Sequence, residues 1–157
     1  MKAVHFRLAK PHDLDGLVDL ENECFTSDKM QRRHYRELLK KNSAQIIIAE
    51  HLNKIIGCAV ILFRKNSSRA RIYSLAVHSS YRGSGIAKKI SSLIEEETKK
   101  RHCSEIVLEV RTNNTAAIRF YQKNGYEIFD TQTKFYEDGT DALRMRKKYD
   151  AQYHPTQ

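Results

Sequence analysis

The chain is 157 residues long, enough for one domain that buries roughly 70% of its unfolded surface around a single core. With 40% hydrophobic and 30% charged residues it reads as an ordinary soluble chain, neither disordered nor membranous. Twenty-eight lysines and arginines against nineteen aspartates and glutamates leave a net charge of +9, which directs attention to acidic partners, phosphorylated ligands or nucleic acid.

In chain order, residues 3 to 8 alternate enough for a first strand, and Pro11-His12-Asp13 ends it and opens a helix with Asp13 as N-cap. Leu14, Leu17, Val18, Glu21, Cys24 and Phe25 follow at helical spacing and give one mostly apolar face over 14 to 25. A second helix is predicted after Ser27-Asp28, with Met30, Tyr35, Leu38 and Leu39 inward. Gln45 to Glu50 and Lys54 to Phe63 are β-branched runs separated by His51-Leu52-Asn53, the pattern of an antiparallel hairpin. The polar run Arg64 to Arg69 is a loop, and Arg71 to Val77 is the next strand. Ser84 to Arg101 reads as a long helix with Ile86, Ile90, Leu93 and Ile94 inward and three cations in its last turn, where the dipole favours them. Glu105 to Arg111 is an apolar strand, and Asn114 to Lys123 a short helix closed by Asn124-Gly125, with Gly125 suited to C′. Tyr126 to Tyr136 and Asp141 to Lys147 flank Asp138-Gly139, a hairpin signal. The tail over 149–157 is expected to fray.

There is no internal repeat, low-complexity segment or linker, so one domain over 1–157 is expected. The order βααβββαβαββ places antiparallel hairpins at both ends and a strand-helix-strand crossover at the centre, which fits a mixed α/β sheet with helices on both faces. The longest apolar stretch, Ile55 to Phe63, is broken by Gly57 and too short to cross a bilayer, and the N-terminus has no apolar signal region. A cytoplasmic location is the expectation. Cys24, Cys58 and Cys103 are odd in number without CxxC spacing, and the seven histidines show no HxxxH or HExxH pair. Neither a disulfide framework nor a metal is expected. The basic run Arg144, Arg146, Lys147 and Lys148 reads as solvated surface.

The segment from Ser74 to Lys88 carries the most chemistry. A strand runs into a loop with two glycines and directly into a long helix, so several free backbone N–H groups converge on one spot and make an anion site. Gly83, Gly85 and Ala87 let backbone approach a pyrophosphate, and Arg82, Lys88 and Lys89 add positive charge. Neither GxGxxG nor GxxxxGK[ST] is present.

Arg82-Gly83-Ser84-Gly85-Ile86-Ala87 resembles the R/Q-x-x-G-x-G/A phosphate loop of GNAT acetyltransferases, and it follows a strand as it does there. Leu108 to Tyr126 resembles the LEVRxxNxxAixlYxxxGF stretch of the same family and is most similar to the bacterial ribosomal-protein alanine N-acetyltransferases. The resemblance is clear from Arg71 to Met145 and looser before it. It implies the GNAT fold, a mixed and mostly antiparallel sheet with helices on both faces and a splayed central strand pair, and acetyl-CoA as acetyl donor. By position it implies that Leu75, Ala76 and Val77 meet the acetyl and pantetheine groups through backbone. Arg82, Gly83, Ser84, Gly85, Ile86, Ala87 and Lys88 would hold the pyrophosphate, Asn114 would contact the cofactor, Tyr121 would stand near the sulfur as general acid, and Glu109 would be the general base through water.

Those roles suit the reaction, since aminolysis of a thioester needs a neutral amine, a polarised carbonyl and a proton for the thiolate. Glu109 sits alone in Ile106-Val107-Leu108-Glu109-Val110, where an unpaired buried carboxylate costs several kcal/mol, so it must face a wet cleft or a partner; Arg111, two residues along, is the structural alternative. Tyr121 has an alternative as an aromatic core residue of the short helix. Cys24-Phe25-Thr26-Ser27-Asp28 replaces the Pro-Trp pair usual in the alanine acetyltransferases, a departure in the segment that helps form the acceptor wall. The resemblance therefore implies direct transfer to an amine, with the N-terminal α-amine of a protein or peptide leading and a polyamine, amino acid or aminoglycoside second. A non-catalytic acyl-CoA sensor is a remaining reading, and a basic nucleic-acid-binding module is disfavoured, since the chain lacks RNP-type aromatic interleaving and zinc-finger spacing.

Overall fold

The structure is a computed structural model that describes residues 3–149. Its strands are β1 (His5–Leu8), β2 (Ala44–His51), β3 (Lys54–Phe63), β4 (Arg69–Val77), β5 (Glu105–Arg111), β6 (Glu127–Gln132) and β7 (Ala142–Lys148). Its helices are α1 (Leu14–Cys24), α2 (Arg32–Leu38), α3 (Ile86–Lys100) and α4 (Thr115–Lys123). One sheet joins all seven strands in the order β1-β2-β3-β4-β5-β7-β6. Every pairing is antiparallel except β4 with β5.

Side-chain alternation along β2 sorts the core into two layers. Ile46 and Ile48 face α1 and α2 with Leu17, Leu20, Tyr35 and Cys58. Ile47 and Ala49 face α3, whose Ile86, Ile90 and Ile94 recur at four-residue spacing and are at most 5% exposed. Burying each such side chain contributes roughly 1.5–3 kcal/mol, and a helix too short to persist alone is held by that face.

Local chemistry explains where elements start and stop. Leu52 and Asn53 both take positive φ (52° and 62°), the geometry of a two-residue hairpin turn between β2 and β3. Gly125 follows α4 at φ 92°. Asp13 differs from its expected role: it closes a 3₁₀ turn (Pro11–Asp13), has helical dihedrals and makes no cap bond to α1. Its carboxylate instead accepts from the backbone N–H of Lys10 (2.7 Å) and from both Nη atoms of Arg7. Arg7 holds that carboxyl below its ordinary pKa.

α3 begins at Ile86 rather than Ser84, because Gly85 is left-handed and stays outside the helix. The hairpin expected at Asp138-Gly139 is a turn within a longer connection. β6 stops at Gln132, and Gly139 N–H closes the turn on the Tyr136 carbonyl (2.9 Å). Tyr149 is held by a bond from its N–H to the Ser104 carbonyl (2.9 Å). The rest of the segment expected to fray, 150–157, lies outside the described residues. No helix among the described residues is long and apolar enough to cross a membrane.

Candidate active site

Two neighbouring strands part company at the centre of the sheet. Ile61 pairs with Ile72 and Val60 with Ser74, so Tyr73 is an extra residue that bends β4. β4 pairs with β5 only through Arg69–Ile72, against Glu105–Leu108; beyond them the strands splay. From Ser74 to Val77 the backbone of β4 pairs with β3 on one side only. The opposite edge has no strand partner over Leu75, Ala76 and Val77 and borders the cleft at Ser74 and Leu75. The cleft measures about 700 Å³ and is lined by Tyr73–Leu75 on one wall and Leu108–Arg111 on the other.

The glycine loop lies at the end of β4. His78 accepts from the Ser80 N–H (3.1 Å) and starts a 3₁₀ turn over Ser79–Tyr81. Arg82 Nε reaches back to the Val77 carbonyl (3.3 Å), and Ser84 Oγ donates to the Tyr81 carbonyl. Gly83 and Gly85 both have positive φ (79° and 86°), which a side chain would strain, and the space beside their Cα atoms is open. The first bond of α3 runs from Lys89 N–H to the Gly85 carbonyl (3.0 Å), so the N–H groups of Ile86, Ala87 and Lys88 point outward without intrahelical partners. Exposed Lys88 and Lys89 stand beside them. Free N–H groups, open space and fixed positive charge fit a pyrophosphate.

Glu109 enters the cleft from β5 with a side chain only 7% exposed. Its partner is not Arg111. Arg71 Nη2 (2.6 Å) and Nε (2.8 Å) hold Oε1, and Arg144 Nε (3.3 Å) holds Oε2. Arg111 departs to the rim, because its long side chain reaches Asp28 and, through two bonds of 2.9 Å, Asp138. Tyr121 on α4 is both core and cleft residue. Its ring meets Phe120 and Tyr126 edge-on at 5.3 and 5.4 Å, it lines the cleft, and burial raises its hydroxyl pKa above the ordinary value. Asn114 caps α4 by accepting from the Ala117 N–H (3.2 Å), which leaves its amide N–H₂ available to the cleft.

The rim holds residues that no local pattern announced. Asp28, between α1 and α2, accepts from Arg111 and from the Glu137 N–H (3.3 Å), and Arg111 stacks over Tyr136 at 4.1 Å. One guanidinium thus ties segment 25–31 to segment 133–141 across the cleft mouth. Behind it, buried Glu21 accepts from the Met30 N–H (2.8 Å) and from the Tyr35 hydroxyl (2.6 Å) and fixes the turn out of α1. Burial raises all three thiols, Cys58 up to about 12, so none offers a ready thiolate. Among the described residues no group of three or more His, Cys, Asp or Glu is placed to hold a metal. A second hollow of about 460 Å³ beside α1 is lined by Arg7, Asp13 and Glu50, already paired with one another, and holds none of the cleft residues above.

A splayed sheet with an open helix N-terminus at one end of the gap, and a carboxylate and a tyrosine hydroxyl within it, is an arrangement suited to an acyl-transferring α/β enzyme. The chain belongs to the acetyltransferase (GNAT) family, which residues 14–126 match. It is 38% identical over 137 residues to an uncharacterized N-acetyltransferase of Methanocaldococcus jannaschii, covering 87% of this chain and 86% of that protein. It is 37% identical over 121 residues to N-alpha-acetyltransferase 30 of Schizosaccharomyces pombe, covering 75% and 81%. The fold superposes on the ribosomal-protein-S18-alanine N-acetyltransferase of Escherichia coli with a TM-score of 0.86 at 18% identity, covering 98% of both chains. The protein is therefore an acetyl-CoA-dependent N-acetyltransferase, as the two sequence motifs implied.

Proposed function

We propose that the acceptor is the N-terminal α-amine of a protein or peptide, acetylated in the cytoplasm by one domain that spans the chain. The observation that carries this reading is the cleft mouth, framed by two chain segments tied through Arg111, an opening suited to the end of an extended chain. The relatives named for N-alpha and ribosomal-protein-alanine acetylation support it. So does amine chemistry: ordinary pKa values of about 8 for an α-amine and about 10.4 for lysine make the neutral α-amine roughly two orders of magnitude more abundant near pH 7. The three free thiols suit a reducing compartment.

In this reading the amine nitrogen attacks the thioester carbonyl, the C–N bond forms and the C–S bond breaks, giving an acetamide and CoA. The unpaired backbone edge at Leu75–Val77 polarises the carbonyl. Glu109, oriented by Arg71 and Arg144, takes the ammonium proton through water, and the Tyr121 hydroxyl returns a proton to the departing thiolate. Arg82 to Lys88 and Asn114 hold the donor. The test is CoA release across N-terminal peptides, polyamines and aminoglycosides, with products read by mass spectrometry. Acetyl groups at peptide N-termini are expected. Modification of internal lysines alone, or of small amines alone, overturns the acceptor assignment, and no turnover on any of them favours an acyl-CoA sensor.

A further inference from the structure

The charge of +9 is not spread evenly once the chain is folded. The basic run that stood out in the sequence is largely neutralised: Arg144 pairs with Glu109, Arg146 with Glu127 and Lys147 with Glu95. The surplus gathers instead at the sheet edge opposite the catalytic end, where β2, β4 and β5 begin and β3, α3 and β7 finish. Hydrogen bonds between these segments make this one continuous surface. Phe63 N–H donates to the Ser43 carbonyl (2.7 Å), Arg101 Nη1 to the Asn42 carbonyl (2.8 Å) and Ser104 N–H to the Ser68 carbonyl (2.8 Å).

Lys40, Lys41, Arg64, Lys65, Arg101 and Lys148 lie along this edge with no acidic partner among the described residues. Its acids among the described residues are Glu37, Glu97 and Glu105, and two of these are committed, Glu97 to Lys100 and Glu105 to Arg69, each at 3.1 Å. Five strands spaced about 4.8 Å apart make the edge about 20 Å wide, the scale of several successive phosphates of a duplex. The rings of Phe63 and Tyr149 here are already covered, by Arg101 and Lys99 respectively. With those rings covered, recognition at this edge falls to phosphates.

We propose that this edge docks the phosphodiester backbone of a nucleic-acid duplex without reading its sequence, at the end of the molecule away from acetyl transfer. The inference is independent of which amine is acetylated. The experiment is fluorescence anisotropy of the full chain with a 20-base-pair RNA duplex and the matching DNA duplex over a range of salt. If all six cations meet phosphates, log K falls against log salt with a slope of about −5. K40E/K41E and R64E/K65E should each weaken binding at least tenfold and flatten the slope by about 2, while K54E/K134E, at the opposite end of the strands and with the same change of charge, stays within about threefold. Acetyl transfer should persist in both edge variants, which also shows that they fold. Binding of either duplex supports the proposal, and the ratio of the two tells RNA from DNA. Equal loss in K54E/K134E, displacement of duplex by saturating acetyl-CoA, or binding to phosphatidylserine vesicles but to neither duplex overturns it.

Discussion

The glycine-loop end and the rim of the cleft, which we propose take the donor and the acceptor, are built by different means. At the donor end, Gly83 to Lys88 present main-chain N–H groups, a property of eleven consecutive residues between His78 and Lys88. At the acceptor end, Arg111 joins Asp28, 83 positions earlier, to Asp138, 27 positions later. A site made of backbone tolerates much side-chain change as long as its dihedrals survive. A site made of long-range side-chain contacts can be re-tuned by one substitution, which is how one donor can serve many acceptors on this fold.

The comparison breaks most sharply at the residues between the two ends. Tyr121→Phe should lower kcat about 10²-fold or more with acetyl-CoA Kd nearly unchanged, because the ring stays and the proton is lost. Since burial raises that hydroxyl pKa, it stays protonated where free tyrosine ionises, and wild-type kcat should show no falling limb below pH 10. Glu109→Gln should also lower kcat about 10²-fold at pH 7, the loss shrinking toward pH 9 as free amine accumulates. Normal turnover with a melting point several degrees lower would leave Glu109 as only an anchor for Arg71 and Arg144.

A smaller effect separates the ends themselves. Gly85→Ala forces a side chain into left-handed backbone at a cost of about 1–2 kcal/mol, so acetyl-CoA should bind roughly 5- to 30-fold more weakly, with peptide KM unchanged. Titration calorimetry checks it, and undiminished affinity would remove the loop from the donor site.

Arg111→Ala should do the reverse, raising peptide KM about three- to tenfold at constant acetyl-CoA Kd. Half-exposed ion pairs contribute roughly 0–1 kcal/mol each, so the melting point should move by only a few degrees. Steady-state kinetics with both substrates varied would expose a donor effect if there were one.

The smallest effect is a proton. Hydrogen bonds from Thr140 first, then Arg111, hold the Asp138 carboxyl at about 2, below its ordinary 3.8. The folded value is depressed, so the clasp stabilises the fold above pH 3.8 and is lost as pH falls through about 2. Carbon-detected NMR should place the Asp138 midpoint near 2 and move it only part of the way to 3.8 in Arg111→Ala, since Thr140 remains.

Residue order alone determined most of the elements and the glycine loop between β4 and α3, though not the Asp13 cap or the hairpin expected at Asp138-Gly139. Ile86, Ile90 and Ile94 recur at helical spacing, the β2 and β3 runs are β-branched, and a strand, two glycines and a helix start are all local signals, because backbone hydrogen bonding and side-chain periodicity act over a few residues. Tertiary structure decided the rest. Asp13 was free to cap α1 until folding brought Arg7 to it, and Arg111 was as near to Glu109 in sequence as any cation until Arg71 and Arg144 arrived on neighbouring strands. The insertion of β7 between β5 and β6 set the Arg144 contact with Glu109 on one side and brought Arg146 to Glu127 on the other. Charges choose partners by distance, and distance between remote residues is fixed by strand order and register, which no local pattern encodes.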